Sequence, residues 1–180
     1  MITGGSAVKQ SIAQRIGRSA LVAVLGAGVT LAGATDAAAA AQKRTLGPFG
    51  YGNLKLGMTE AQARATGRIV RKTIKVPTKC SAYDLKERRY SGNRAGMFIS
   101  KKQGVVTISA PGRGVKTPQG IGIGATPAQL KAAYPNLKQN ALYGTFATVP
   151  GNPKASYVFL VSKNMVLGVT LVLTAQDCLR

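Results

Sequence analysis

Leu54-Lys55-Leu56-Gly57-Met58-Thr59-Glu60-Ala61-Gln62-Ala63-Arg64-Ala65 returns later in the chain as Ile121-Gly122-Ile123-Gly124-Ala125-Thr126-Pro127-Ala128-Gln129-Leu130-Lys131-Ala132. The copies share Gly, Thr, Ala, Gln and a second Ala at matching positions, with Leu/Ile and Arg/Lys exchanges between them. Self-similarity of this kind constrains the architecture before any single element is assigned. Leu54 and Leu56, like Ile121 and Ile123, alternate as in a strand with one buried face. A glycine follows each pair, where a sharp turn leaves little room for a Cβ. Thr59 and Thr126 are N-cap residues, and Gln62 and Gln129 stand three positions later. That spacing is a capping box, in which two orphan backbone N–H groups are satisfied reciprocally. Pro127 falls at the first helical position, where its missing N–H costs nothing. Gly67 and Pro135 supply the stops. The stretch predicts a strand, a turn and a capped helix, twice.

A second correspondence lies downstream. Phe98-Ile99-Ser100-Lys101-Lys102-Gln103-Gly104-Val105-Val106 is echoed by Phe159-Leu160-Val161-Ser162-Lys163-Asn164-Met165-Val166-Leu167. Each reads as two β-rich runs around a polar, Lys-containing turn, hence a hairpin. The fold expected is α+β: two related strand–helix–antiparallel-hairpin units forming a compact tandem-repeat domain. The first unit covers 49–109, a Pro/Gly-rich connector 110–119, and the second unit 120–180. Residues 69–76 read as a β-run with a basic exposed face, ended by Pro77. Residues 80–89 are ambiguous between strand and charged turn, 90–95 form a loop, and 141–149 form a strand. The apolar run 156–173 approaches membrane-spanning length, but Lys163 and Asn164 at its middle favour the hairpin. Gly120, Gly122 and Gly124 lack the Gly-x-Gly-x-x-Gly spacing of a nucleotide loop and read as turn residues.

The N-terminal part stands outside this scheme. Lys9, Arg15 and Arg18 precede an apolar, small-residue stretch from Ser19 to Gly33, and 35–41 is Ala-rich. Residues 1–41 thus read as a Sec-type secretory signal peptide and 42–48 as a flexible leader. Localisation follows: secreted, extracellular or cell-wall associated, with membrane contact only through an uncleaved signal. The whole chain carries 25 Lys+Arg against five Asp+Glu, net +20. Removing the signal with its three cations and Asp36 leaves a formal charge of +18. A field of that sign attracts anionic polymers or surfaces; the alternative is solubility charge spread over every face. Cys80 and Cys178 are the only cysteines. In an oxidising compartment an even pair reads as a disulfide, stabilising by roughly 4–5 kcal/mol in the loop-entropy model.

Histidine is absent, which excludes Ser-His-Asp and Cys-His catalysis and leaves two cysteines as a poor metal site. Beyond the signal, the carboxylates are Glu60, Asp84, Glu87 and Asp177. Asp84 and Glu87 sit among Lys86, Arg88 and Arg89 and read as solvated ion pairs; no motif supports a glycosidase pair. No catalytic, metal or cofactor-binding residue is assigned, no cofactor is expected, and the chain reads as a non-enzyme. Candidate polyanion-binding residues are Lys72, Lys75, Arg88, Arg89, Lys101 and Lys102. Candidate partner-recognition residues are Tyr143, Phe146, Tyr157 and Phe159.

The repeated Leu54–Ala63 phrase, hydrophobic-x-hydrophobic-Gly-Met-Thr-x-x-Gln, resembles the signature of the secreted β-lactamase inhibitory protein family and of related small outer-membrane lipoproteins that assist barrel assembly. The overall look is similar to uncharacterised secreted proteins of high-GC Gram-positive bacteria. The resemblance implies an α+β unit in which a helical motif packs on an antiparallel sheet, in tandem in the inhibitors. The cysteines stand one per unit, Trp is absent, and no inhibitory loop can be matched, so no inhibitor residue is carried over. The function expected is a secreted binding protein of the cell envelope that recognises an anionic polymer or an acidic partner. The alternative is a proteinaceous inhibitor of an extracellular enzyme; nucleic acid is a less favoured partner.

Overall fold

The computed structural model describes residues 45–179. The signal peptide expected over 1–41 and the first residues of the leader lie outside them. Both capping boxes close. Thr59 Oγ1 accepts from Gln62 N–H at 3.2 Å, and Gln62 Oε1 accepts from Thr59 N–H at 2.9 Å. Thr126 and Gln129 repeat the pair at the same two distances, 3.2 and 2.9 Å. The caps start α1 (Glu60–Ala65) and α2 (Pro127–Ala133), each of which buries a single residue, Ala63 and Leu130. Ahead of each cap, the glycine turn clips onto a later strand of its own half. Gly57 N–H donates to Val105 O and Val105 N–H to Met58 O, both at 2.8 Å. Gly124 N–H donates to Val166 O and Val166 N–H to Ala125 O, again at 2.8 Å.

The rest of the described chain is strand. A small antiparallel sheet holds β1 (Leu46–Gly47), β2 (Gly50–Tyr51) and β3 (Leu54–Lys55). The main sheet holds β4 (Ile69–Lys72), β5 (Cys80–Leu85), β6 (Met97–Ser100), β7 (Gly104–Ser109), β8 (Lys138–Asn140), β9 (Gly144–Val149), β10 (Asn152–Ser162) and β11 (Met165–Leu173). Its spatial order is β4-β5-β6-β7-β11-β10-β9-β8, antiparallel throughout. Two four-stranded meanders therefore run inward from opposite edges and meet at β7–β11, where Thr107, Ile108 and Ser109 face Val172, Leu171 and Thr170.

The fold is mostly β, which corrects the α+β expectation. The helices are six and seven residues long, too short to form a layer, because their stops lie within two turns of their caps. Gly67 takes φ +70°, and Tyr134 leaves helical geometry at the C-cap, just before Pro135. The runs at 69–76, 80–89 and 141–149 join the hairpins in one sheet, so each half is a meander rather than a strand–helix–hairpin unit. The strand expected at Ile121–Ile123 is reduced to an isolated bridge between Lys116 and Gly122. Gly120 and Gly124, at φ +82° and +97°, bend the chain on either side. The 156–173 run forms the long β10–β11 hairpin, with Lys163 and Asn164 at φ +50° and +58° in its turn. Among the described residues, no helix is long and apolar enough to cross a membrane.

One face of the main sheet carries the core. Tyr83, Leu85, Met97, Ile99, Ile108, Tyr157, Phe159 and Leu171 pack there with Ala63, Leu130 and the small sheet's Leu46, Tyr51 and Leu54. Each such aliphatic or aromatic side chain contributes about 1.5–3 kcal/mol on burial. Leu46, in the expected leader, is fully buried, and Tyr157 OH donates to its carbonyl at 2.8 Å. The Tyr134 ring lies 6.0 Å from Tyr157 and 5.2 Å from Phe159. Burial pushes the Tyr134 hydroxyl up to about 12 and raises that of Tyr157 as well. Tyr83 is raised too, first by burial and then by its hydrogen bond to Glu60.

Candidate functional site

Strand alternation sends a second set of side chains to the sheet's opposite face: Phe98, Thr107 and Ser109, then Thr170, Val172, Ser156, Val158, Leu160 and Phe146. Two segments cover parts of that face. Residues 174–179 lie across the end bearing Cys80, where the Cys80–Cys178 disulfide, Cα–Cα 5.8 Å, packs with Val106, Phe98 and Leu173. Gln176 is fully buried in this segment. Its Oε1 accepts from Cys178 and Leu179 N–H at 2.6 and 2.8 Å, and its Nε2 donates to Tyr143 OH at 2.8 Å.

The second cover is the β5–β6 loop, residues 86–96, held by one carboxylate. Asp84 is buried on β5. Its Oδ1 accepts from Gly96 N–H at 2.8 Å, and its Oδ2 accepts from Tyr90 N–H at 3.1 Å. Lys72 Nζ lies 3.5 Å from Oδ2 and also donates to the Tyr90 carbonyl. A buried carboxylate with three donors is the arrangement that makes burying a charge tolerable. It fixes the Tyr90 ring beside the sheet.

Between the two covers the face is open, as a groove of about 380 Å³. Ser109, Thr170, Gly168, Val158, Leu160 and Leu167 line it, with Arg88, Tyr90 and Arg94 on one side and Tyr143 on the other. The guanidiniums of Arg88 and Arg94 both lie against the Tyr90 ring, 5.0 and 5.9 Å from its centroid. Neither has a carboxylate partner among the described residues, and no acidic residue lines the groove. Leu160 is 62% exposed and Leu167 41%, and the Ser109 and Thr170 hydroxyls are 2.9 Å apart. The arrangement offers two unpaired cations, a hydroxyl pair and an apolar floor.

The six basic residues expected to form one patch are divided. Arg88 and Arg89 sit exposed in the loop after β5. Lys75, Lys101 and Lys102 are exposed at the opposite end of the strands, in the β4–β5 and β6–β7 connections. Lys72 is enclosed by Asp84 and Tyr90, its side chain 15% exposed. The four aromatics divide as well. Tyr157 and Phe159 lie in the core, while Tyr143 and Phe146 form a T-shaped pair at 6.0 Å beside the groove. Cys80, Asp177 and Cys178 bring potential metal-ligating atoms within 4.8 Å of one another, but both thiols are consumed in the disulfide, which leaves one carboxylate.

No family model matches the chain, and no curated protein matches it. Among solved structures, the uncharacterised protein yfeY from Escherichia coli is similar, with TM-score 0.45 and 17% identity, over 72% of this chain and 99% of that one.

Sequence reasoning passed over Arg94, Tyr90, Leu160, Leu167, Ser109 and Thr170. Tyr90 and Arg94 fall in a stretch read only as loop. A signal for the leucines is present: in Tyr157-Val158-Phe159-Leu160 both alternating sets are apolar. A strand of that kind has either two covered faces or one left for a ligand.

Proposed function

We propose that the protein is a secreted, non-enzymatic binding protein that engages an anionic partner at the cell envelope through the open sheet face. The observation that carries this reading is the pair of unpaired guanidiniums on one ring, beside a groove without any acid. Arginine placed on an aromatic face keeps its hydrogen-bonding fork free for carboxylate or phosphate. Export is supported by the signal pattern of 1–41 and by the disulfide, which suits an oxidising compartment. The lack of histidine and the engagement of Asp84 by the loop support a binding role over a hydrolytic one.

The test is retention on isolated cell walls. Arg88→Glu/Arg94→Glu should abolish it, while Lys101→Glu/Lys102→Glu, the same charge change at the other end of the sheet, should leave most of it. Retention should weaken steeply with salt, because exposed charges are screened beyond about 10 Å at 0.1 M. Equal losses from the two double variants would mean undirected attraction. The second reading, an inhibitor of an extracellular enzyme, draws on the exposed Leu160 and Leu167 beside Tyr143. It predicts retention on a secreted enzyme that is insensitive to salt and lost in Leu160→Asn.

A further inference from the structure

The groove joins two features that a purely polyanionic partner would not use together. Its cationic wall is Arg88 and Arg94. Its floor exposes Leu160 and Leu167, two of the five large hydrophobic side chains left exposed among the described residues. Cross-strand from Leu160 stands Gly168, which leaves a trough in the floor. A Cβ built there would meet Leu160 Cβ at 3.7 Å, ordinary contact, and its φ is not in the left-handed region. The glycine is therefore not required by the backbone, and a side chain at this position would fill the groove. Ser109 and Thr170 add two hydroxyls on the same floor.

We propose that the groove is the binding site for a single-chain amphipathic anion, its acid head held by Arg88 and Arg94 and its aliphatic chain laid along Gly168 between Leu160 and Leu167. The proposal rests on the reading of this face as the anionic site and adds the class of ligand. Charge complementarity selects the head: the charged residues lining the groove are both cations, and a phosphate or carboxylate can accept from both guanidiniums and from a floor hydroxyl. The exposed leucines select the tail, since removing apolar surface from water is favourable in proportion to the area covered. A cavity of this volume suits one small ligand. A chain without a charge would leave the arginines unused, and a bare anion would leave the floor wet.

The experiment is calorimetric titration of the folded, oxidised protein with monomeric decyl phosphate, alongside inorganic phosphate, decyltrimethylammonium and poly-L-glutamate. Decyl phosphate should bind one-to-one, at least about tenfold more tightly than inorganic phosphate, and decyltrimethylammonium should not bind. Arg88→Gln/Arg94→Gln should weaken decyl phosphate by about tenfold or more, Lys101→Gln/Lys102→Gln by no more than about twofold. Gly168→Val should block binding without any change of charge. Leu160→Asn, at an exposed position that does not bear on folding, should weaken it on its own. Decyl phosphate binding no tighter than inorganic phosphate would overturn the proposal, as would equal losses from the two double variants. Poly-L-glutamate separates the two levels. If it still binds through Arg88 and Arg94 when decyl phosphate shows no advantage, the anionic site stands and the amphiphile falls. If it is indifferent to both arginines, the site reading falls as well.

Discussion

Replacing both cysteines, Cys80→Ala/Cys178→Ala, tests how the open face is held at its covered end. The bond closes a loop of sequence separation 98. In the chain-entropy model a cross-link of that span removes about 4.7 kcal/mol of freedom from the unfolded chain. Alanine keeps the site apolar, so burial of Val106 and Phe98 is disturbed little by the change itself. The expected loss is about 4–5 kcal/mol, which at about 3–4 °C per kcal/mol for a domain of this size lowers Tm by about 12–20 °C. Urea unfolding is the assay, because it reads the mechanism as well as the size. A cross-link that acts on the unfolded chain makes that chain compact, so the cysteine-free variant should show a larger m-value with its lower midpoint. Oxidised and reduced wild type should differ in the same two ways. A loss below about 1 kcal/mol, with m unchanged, would refute the entropic reasoning. The hydrogen bonds of Gln176 would then hold the 174–179 segment unaided.

The two capping boxes predict that Thr59→Ala and Thr126→Ala each cost about 1 kcal/mol, read from the urea midpoint; no shift in either would mean that the caps are not stabilising. Asp84→Asn should cost about 2–3 kcal/mol and expose residues 86–96 to protease, since Lys72 is left beside a neutral group in a buried site. A variant as protease-resistant as wild type would show that the loop is held elsewhere. At alkaline pH, Tyr134 keeps its proton in the folded state up to about 12, whereas the unfolded chain releases it near 10. Its contribution is fully present below pH 10 and is lost as pH rises from 10 to 12, on the order of 2 kcal/mol at full extent. Tyr134→Phe should flatten that decline, and an unaltered slope would place its cause in other groups.

The local signals of this chain were legible because they are local. Thr59, Gln62, Thr126 and Gln129 do what their spacing says, since a capping box is decided within four residues. The turn at Lys163–Asn164 follows for the same reason, whereas Cys80 and Cys178, 98 positions apart, pair because the chain has no other cysteine. The fold class was misread because helices of six and seven residues give as clear a start signal as long ones. Of the strands that outweigh them, β4 and β9 read as single runs and β5 as a strand or a charged turn, and only their pairing into one sheet decides the class. The site was legible in part. Arg88 stood out in a basic run, but Arg94 reaches the same ring only because Asp84 folds 86–96 back on itself. Tyr157 and Phe159 looked like recognition residues because period-two alternation names two faces without saying which one the helices cover.

The disulfide also sets an order of events. Synthesised from the N-terminus, Cys80 emerges well before its partner, and 98 positions of chain separate them. No third cysteine exists in the chain, so intramolecular mispairing has no substrate and disulfide isomerisation is unnecessary. The exposure runs the other way: until Cys178 arrives, Cys80 meets only the thiols of other molecules. Closure then waits on β7 finding β11, the seam between the two meanders. Until that seam forms, dilution or a reductant protects the lone thiol better than a proofreading isomerase would.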